Sequence, residues 1–246
     1  MEIAKQIPDT IYAENSFCPG CGHGIAIRLI AEVIDEMGLS GDAIGVLAVG
    51  CACLVNRSLA VDLLQSPHGR AAAAADAIKR LRKNKLVFTY QGDGDALSIG
   101  FSETMYSAQR NEKITQIIVN NGVFGMTGGQ CSPTTLLGQK TTTAVNGRTA
   151  EANGNPLNGM TLLSTFNVAY LARGSVHDAA NITKTKRYIR TAFQKQMAGE
   201  GYSCVEILSP CPTNWHLSPE KAQIWIAENV IPAYPLGEIK SGGVQA

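Results

Sequence analysis

Charge imbalance is almost absent from this sequence: 21 Lys and Arg stand against 20 Asp and Glu, a formal net charge of +1. No run of like charges breaks that balance, which excludes the basic stripe of a nucleic-acid binder and the polybasic patch of a membrane-surface protein. Long apolar runs are missing too. No stretch approaches the roughly 20 residues that a membrane-spanning helix needs. Residues 1–15 carry polar or acidic side chains every few positions, without the apolar core of a signal peptide. The expectation is a cytoplasmic protein with no nucleic acid and no membrane among its partners. Charged residues are few altogether, at 17%, which is light for a surface wholly in water. Part of it is expected to lie against other subunits. Repeats and low-complexity linkers are also lacking, so residues 1–246 are read as a single large α/β domain.

What is present begins with a helical spacing of Ile25, Leu29, Ile30, Val33 and Ile34, stopped by Gly38, which predicts a helix over 22–37. An apolar run over 44–49 reads as a buried strand, the Ala-rich 71–81 as a helix, 86–90 and 116–119 as strands, and 97–108 as a helix between them. Strand, helix and strand in that order make a parallel βαβ unit. Strands at 168–172 and 204–208 and helices at 185–197 and 219–228 follow. The long stretch 130–157, rich in Gly, Thr, Asn and Pro, is read as a functional loop. In such sheets ligands sit beyond the carboxyl ends of the strands, which puts 50–53, 92–95 and 120–129 on one chemical rim.

On that rim Gly92-Asp93-Gly94-Asp95 follows a strand and opens a helix, so glycine-permitted backbone approach can bring N–H groups to phosphate oxygens. Two carboxylates beside an anion require a cation between them, and Mg²⁺ prefers such oxygen ligands. An Asn of the pair Asn120-Asn121 could complete its shell. The loop lacks the Gly-Lys-Ser/Thr ending of a P-loop; a plain helix-capping turn is the alternative. Seven cysteines in a reducing compartment point to metal ligands or buried thiols. Cys18-Pro19-Gly20-Cys21 alone is shared by zinc, iron–sulfur and redox sites, but with Cys51 at a strand end and Cys211 past another, four sulfurs could converge. A [4Fe–4S] cluster and a zinc site fit that spacing equally. Cys204, inside an apolar strand, reads as a structural thiol, and Cys131 has no evident ligand partner.

Gly-Asp-Gly followed by Asn-Asn resembles the thiamine pyrophosphate motif of thiamine-dependent enzymes. That likeness implies Mg²⁺ ligation by Asp93, Asn121 and the Val123 carbonyl. Cys-Pro-Gly-Cys-Gly-His at 18–23, Gly50-Cys51, His68-Gly69-Arg70, Gly92 to Asp95, the stretch 120–130 with Met126-Thr127-Gly128-Gly129-Gln130, and 209–213 together resemble, in order, the beta subunit of 2-oxoacid:ferredoxin oxidoreductases. The resemblance implies a thiamine diphosphate-binding fold, a mostly parallel central sheet with helices on both faces. It implies a [4Fe–4S] cluster on Cys18, Cys21, Cys51 and Cys211, with Cys53 as a rival third ligand. Thiamine pyrophosphate is then expected against Gly50, Cys51, His68, Gly92, Asp93, Gly94, Asp95, Asn121, Val123, Met126 and Thr127, with His23 and His68 as catalytic candidates and Arg70 beside His68. The family's activity is oxidative decarboxylation of a 2-oxoacid with coenzyme A, electrons passing through the cluster to ferredoxin. One such domain is incomplete, so an alpha subunit with the pyrimidine-binding domain and its activating Glu is expected, with gamma and ferredoxin-like delta subunits as further partners. Leu54, where relatives acting on 2-oxoglutarate often carry a basic residue, favours 2-oxoisovalerate; nearby Arg57 argues for 2-oxoglutarate. A cluster-free thiamine decarboxylase half and a zinc-stabilised scaffold subunit are the competing readings.

Overall fold

The computed structural model describes residues 7–242. The ends of the expected single domain, 1–6 and 243–246, and with them part of the signal-free reading of 1–15, lie outside the described residues. The chain opens with helix α1 (His23–Glu36), followed by strands β1 (Ala43–Leu47) and β2 (Asp62–Gln65), helix α2 (Ala71–Leu81) and strand β3 (Leu86–Gly92). Helix α3 (Phe101–Gln109) leads to β4 (Thr115–Asn120), a small hairpin of β5 (Val123–Phe124) and β6 (Gln130–Cys131), and two short helices, α4 (Ala150–Asn153) and α5 (Gly159–Leu163). Strand β7 (Tyr170–Ser175), helix α6 (Ala179–Met197), strand β8 (Ser203–Leu208), short helix α7 (Pro212–Trp215), helix α8 (Pro219–Trp225) and strand β9 (Gly237–Ser241) complete it.

Seven strands form one sheet in the order β2-β1-β3-β4-β8-β7-β9. All neighbours run parallel except β9, which is antiparallel to β7. The central strands β3, β4 and β8 are buried almost throughout, polar residues such as Gln116, Asn120 and Glu206 included, as a parallel sheet covered on both faces requires. Alternation along β3 shows the two covers. Phe88 meets Phe193 of α6 at 5.8 Å between ring centroids, and Tyr90 meets His23 of α1. Gln91, pointing the other way, joins a buried polar chain through Gln116 to Thr104 of α3. The expected sheet with helices on both faces is what the chain builds. Among the described residues no helix is long and apolar enough to cross a membrane.

The register aligns the carboxyl ends: Leu47 lies opposite Tyr90, Gly92 opposite Val119, and Asn120 opposite Leu208. Several elements depart from the sequence reading. Edge strands β2 and β9 were not expected, because each offers little apolar alternation. Helix α6 begins six residues before 185, since the Asp178 side chain caps it by accepting from the Asn181 N–H. The helix expected over 97–108 is split: a π-helical turn runs over Asp95–Ile99, and α3 starts after Gly100. Gly100 is needed there, because a Cβ would stand 2.6 Å from the Gly69 carbonyl oxygen. Such π turns recur at functional sites.

Candidate functional site

A cleft opens at the carboxyl ends of β1, β3 and β4. Its walls include His23, Val49 to Ala52, His68, Gly92, Gly94, Asp95, Asn121 and the stretch Val123 to Thr127. Thus nearly every residue that the sequence points to for the cofactor lies in one place. Asp93 sits just beneath, 1% exposed. Its Oδ2 accepts from the Thr134 hydroxyl at 2.5 Å, while its Oδ1 is buried without a partner. Burial raises the Asp93 carboxyl to about 6, against hydrogen bonds that lower it. A buried carboxylate oxygen with no donor is costly, and a divalent cation would relieve it. The residues therefore fit a Mg²⁺ ion between Asp93 and an anion in the cleft.

The two asparagines divide their work. Asn120 is locked inward: its Nδ2 donates to Glu206 Oε1 at 2.7 Å, and its Oδ1 accepts from the Gly122 N–H, with the Thr134 hydroxyl oxygen 2.9 Å away. Glu206 in turn holds Arg173 at 2.5 Å, both nearly fully buried. Asn121 lines the cleft, with its Oδ1 accepting from the Val123 N–H at 3.1 Å and its carbonyl accepting from the Trp215 indole. Gly94 lets the turn pass the Phe124 ring, which an added Cβ would meet at 2.3 Å.

Asp95 lines the cleft with both oxygens already engaged. Oδ1 accepts from the Gly69 N–H at 2.8 Å and is hydrogen-bonded to His68 Nδ1, and Oδ2 accepts from Gln91 at 2.7 Å. This carboxylate thus fixes the orientation of the His68 ring. Arg70 is turned to α3, paired with Glu103 at 2.8 Å, and is not among the cleft residues. His23 is buried, stacked on Phe17 and hydrogen-bonded through Nδ1 to the Tyr90 hydroxyl at 2.8 Å. Burial lowers its pKa to about 4, so it is neutral near pH 7.

Next to this cleft the cysteines gather. The 18–21 turn rests on the segment after β8: the Gly22 N–H donates to the Pro210 carbonyl, and added Cβ atoms on Gly20 and Gly22 would strike Pro219 and Ser209. Cys18, Cys21, Cys51 and Cys211 are close enough to repel one another as thiolates. Burial pushes Cys21 up to about 12 and Cys51 up to about 11, and that repulsion adds to both. Thiols so placed need a cationic partner to ionise, which fits a metal cluster. Among the described residues no three His, Cys, Asp or Glu side chains are arranged around a single ion; in a four-iron cluster each iron takes one thiolate. Cys53 sits two residues beyond Cys51 and is not among the cleft residues. Cys204 is buried within β8, and Cys131 stands in the β5–β6 hairpin.

Three residues that sequence reasoning missed complete the site. Thr134 grips Asp93, and Arg148, 5% exposed, donates to the carbonyls of Ser132, Pro133, Thr135, Asn153, Gly154 and Asn155. Asn214 bonds to Cys211 and to Gly125. A lone Arg in a Gly- and Asn-rich stretch was the one available signal for the second.

Comparison with known proteins gives consistent likenesses. The C-terminal thiamine-pyrophosphate-binding domain of thiamine pyrophosphate enzymes matches residues 47–207. Ketoisovalerate oxidoreductase subunit VorA of Methanothermobacter marburgensis is 41% identical over 221 residues, 89% of this chain and 46% of that one. The 2-oxoglutarate synthase subunit KorB of Methanocaldococcus jannaschii is 36% identical over 198 residues, 80% of this chain and 69% of its own. A solved 2-oxoglutarate:ferredoxin oxidoreductase from Magnetococcus marinus, with 2-oxoglutarate, coenzyme A and succinyl-CoA bound, has a TM-score of 0.74 at 27% identity. The match covers 85% of this chain and 69% of that chain. The chain spans about half the length of the ketoisovalerate relatives it matches.

Proposed function

Since the chain belongs to the family of thiamine-pyrophosphate-binding subunits of 2-oxoacid:ferredoxin oxidoreductases, we propose that it serves oxidative decarboxylation of a branched aliphatic 2-oxoacid, with 2-oxoisovalerate favoured. Coenzyme A takes the acyl group, and electrons leave through a [4Fe–4S] cluster to ferredoxin. The observation that carries this reading is the adjacency of two sites in one chain: the cleft above the unpartnered Asp93 oxygen, and the four thiols beside it.

Asp93, the Asn121 side chain and the Val123 carbonyl would hold Mg²⁺, with the backbone of Gly92 and Gly94 against the diphosphate. Thiamine pyrophosphate, when bound, supplies a nucleophilic carbon and an electron sink. The cluster, held by Cys18, Cys21, Cys51 and Cys211, supplies a one-electron acceptor. Around them this chain's residues orient and exclude. Asp95 keeps His68 in one ring orientation at the cleft wall. Neutral His23, with Tyr90 behind it, offers a hydrogen bond without placing a charge beside the substrate.

Substrate choice follows from the cleft walls. Val49, Ala52, Phe124 and Met126 are apolar, and no Lys or Arg stands among the cleft residues. A distal carboxylate would lose its hydration there without a charge partner. An aliphatic side chain gains from the same surface. The activating Glu belongs to a partner alpha subunit carrying the pyrimidine-binding domain, with gamma and ferredoxin-like delta subunits completing the electron path.

The test is anaerobic purification with co-purifying partners, recording iron, thiamine pyrophosphate and the visible spectrum before and after each of 2-oxoisovalerate, 2-oxoglutarate and pyruvate with coenzyme A. Bleaching that is fastest with 2-oxoisovalerate is the expected result. A colourless, iron-free complex would refute the electron-transfer reading, and faster bleaching with 2-oxoglutarate would refute the substrate.

A further inference from the structure

Asn214 occupies a position that the chemistry above leaves unexplained. It stands on α7, and its Nδ2 lies 3.3 Å from the Cys211 sulfur and 3.1 Å from the Gly125 carbonyl oxygen. An amide nitrogen carries two hydrogens, one for each acceptor. The Asn214 main-chain N–H also bonds to the same sulfur. Gly125 is crowded from both sides: a Cβ there would stand 3.3 Å from Asn214 Nδ2 and 3.4 Å from the Cys51 sulfur. Four residues on, a Cβ at Gly129 would meet the Asn214 side chain at 2.9 Å. The turn that brings Met126 and Thr127 to the cleft is therefore wedged between the Cys51 sulfur and the Asn214 side chain, which ties it to Cys211.

Reducing a cluster adds negative charge that spreads onto its thiolate ligands. An N–H donor aimed at a ligand sulfur stabilises that charge, and groups outside the ligand shell tune metal centres in this way. An amide that simultaneously grips the cofactor turn ties two properties together. We propose that Asn214 is a positioning residue that raises the reduction potential of the cluster through Cys211 and fixes the thiamine-side turn through Gly125. The assignment rests on the cluster reading given above.

The measurement uses the anaerobic complex with its partner subunits, comparing wild type with Asn214→Leu and Asn214→Asp, which keep the side chain's bulk and lose its donors. Iron content, midpoint potential by redox titration, and half-saturating thiamine pyrophosphate are recorded. With iron retained, the Leu variant should disfavour one-electron reduction about tenfold, which is 59 mV for one electron. The Asp variant should fall further because it adds charge. Both should require several-fold more thiamine pyrophosphate. Full iron with an unchanged potential in the Leu variant overturns the assignment. If a variant loses its iron, the thiamine pyrophosphate requirement decides, and an unchanged value overturns the coupling. A wild-type complex without iron fails earlier, and sinks the cluster reading on which this one stands.

Discussion

Asp93 holds one bonded and one bare carboxylate oxygen in a buried setting, so its value lies in what a cation does there. Asp93→Asn keeps the shape and the Thr134 contact but removes the charge. We expect thiamine pyrophosphate affinity with Mg²⁺ to fall about a hundredfold or more, roughly the loss of one close charge contact, with the far-ultraviolet spectrum unchanged; calorimetric titration of the complex checks it. A second carboxylate behaves differently. Asp76 of α2 bonds Ser107 through Oδ2 at 2.7 Å, and its Oδ1 is buried without a partner. Burial raises it to about 6. Between roughly pH 4 and pH 6 the folded chain therefore holds a proton that the unfolded chain has lost, and stability falls as pH rises through that window. Asp76→Asn should reduce the slope, leaving the part that Asp93, also raised to about 6, contributes, and stabilise the protein at pH 7 by about 1 kcal/mol, after discounting for partial exposure. Denaturant titrations at pH 4.5 and pH 7.5 read this directly; parallel curves for both proteins would count against it. At this scale the motif residues were legible because their chemistry is local in sequence. Thr134 was not, because Asp93 lies 41 residues away, and Asn214 was not, because its role depends on Gly125, 89 residues away, as well as on the nearby Cys211.

At the scale of elements, the stretch 130–157 is held by its own backbone folded around Arg148. Six carbonyl oxygens share the five N–H groups of one guanidinium, an arrangement a Lys cannot reproduce. Arg148→Lys should free part of the stretch and Arg148→Met nearly all of it, at a cost of about 3 kcal/mol for carbonyls left without donors. Limited proteolysis should then cut between 132 and 157 in the variants and spare the wild type. Because Thr134 belongs to this stretch, thiamine pyrophosphate binding should weaken along with it. The sequence marked 130–157 as functional by length and composition but gave no shape for it, since no period runs through it. The same physics separates hits from misses elsewhere. Helix α1 and strands β3, β4 and β8 bury most of their residues and show a clear pattern. Strand β2 has only Leu63 partly packed against the core, and the first turn of α6, Ala179-Ala180-Asn181, has no apolar stripe to reveal it.

The whole molecule brings together thiols that sequence places far apart. Cys18 and Cys21 precede α1, Cys51 follows β1, and Cys211 follows β8, the central strand reached last along the chain. The sequence left Cys51 and Cys53 in competition; the fold turns Cys51 to the cleft and to three other thiols. Cys51→Ser should therefore lose most of the iron, while Cys53→Ser keeps it, as iron assay of the anaerobically purified complexes will tell. Stripping the iron with a chelator should lower the Tm by several degrees, because the proposed ligation would tie the 18–21 turn to the 209–212 segment; an unchanged melt would argue that packing alone holds them.

The late position of β8 also governs the order of events as the chain is made. Synthesis proceeds at about 5–20 residues per second, so Cys51 has emerged well before β8 exists to slot between β4 and β7. Until then the sheet lacks an inner strand, and Cys18, Cys21 and Cys51 have been made without Cys211. On the proposed ligand set, a cluster could be seated only after β8 and Cys211 have been made. On that proposal the thiols made early would have to stay reduced through the interval, and oxidants would do more harm to young chains than to mature ones.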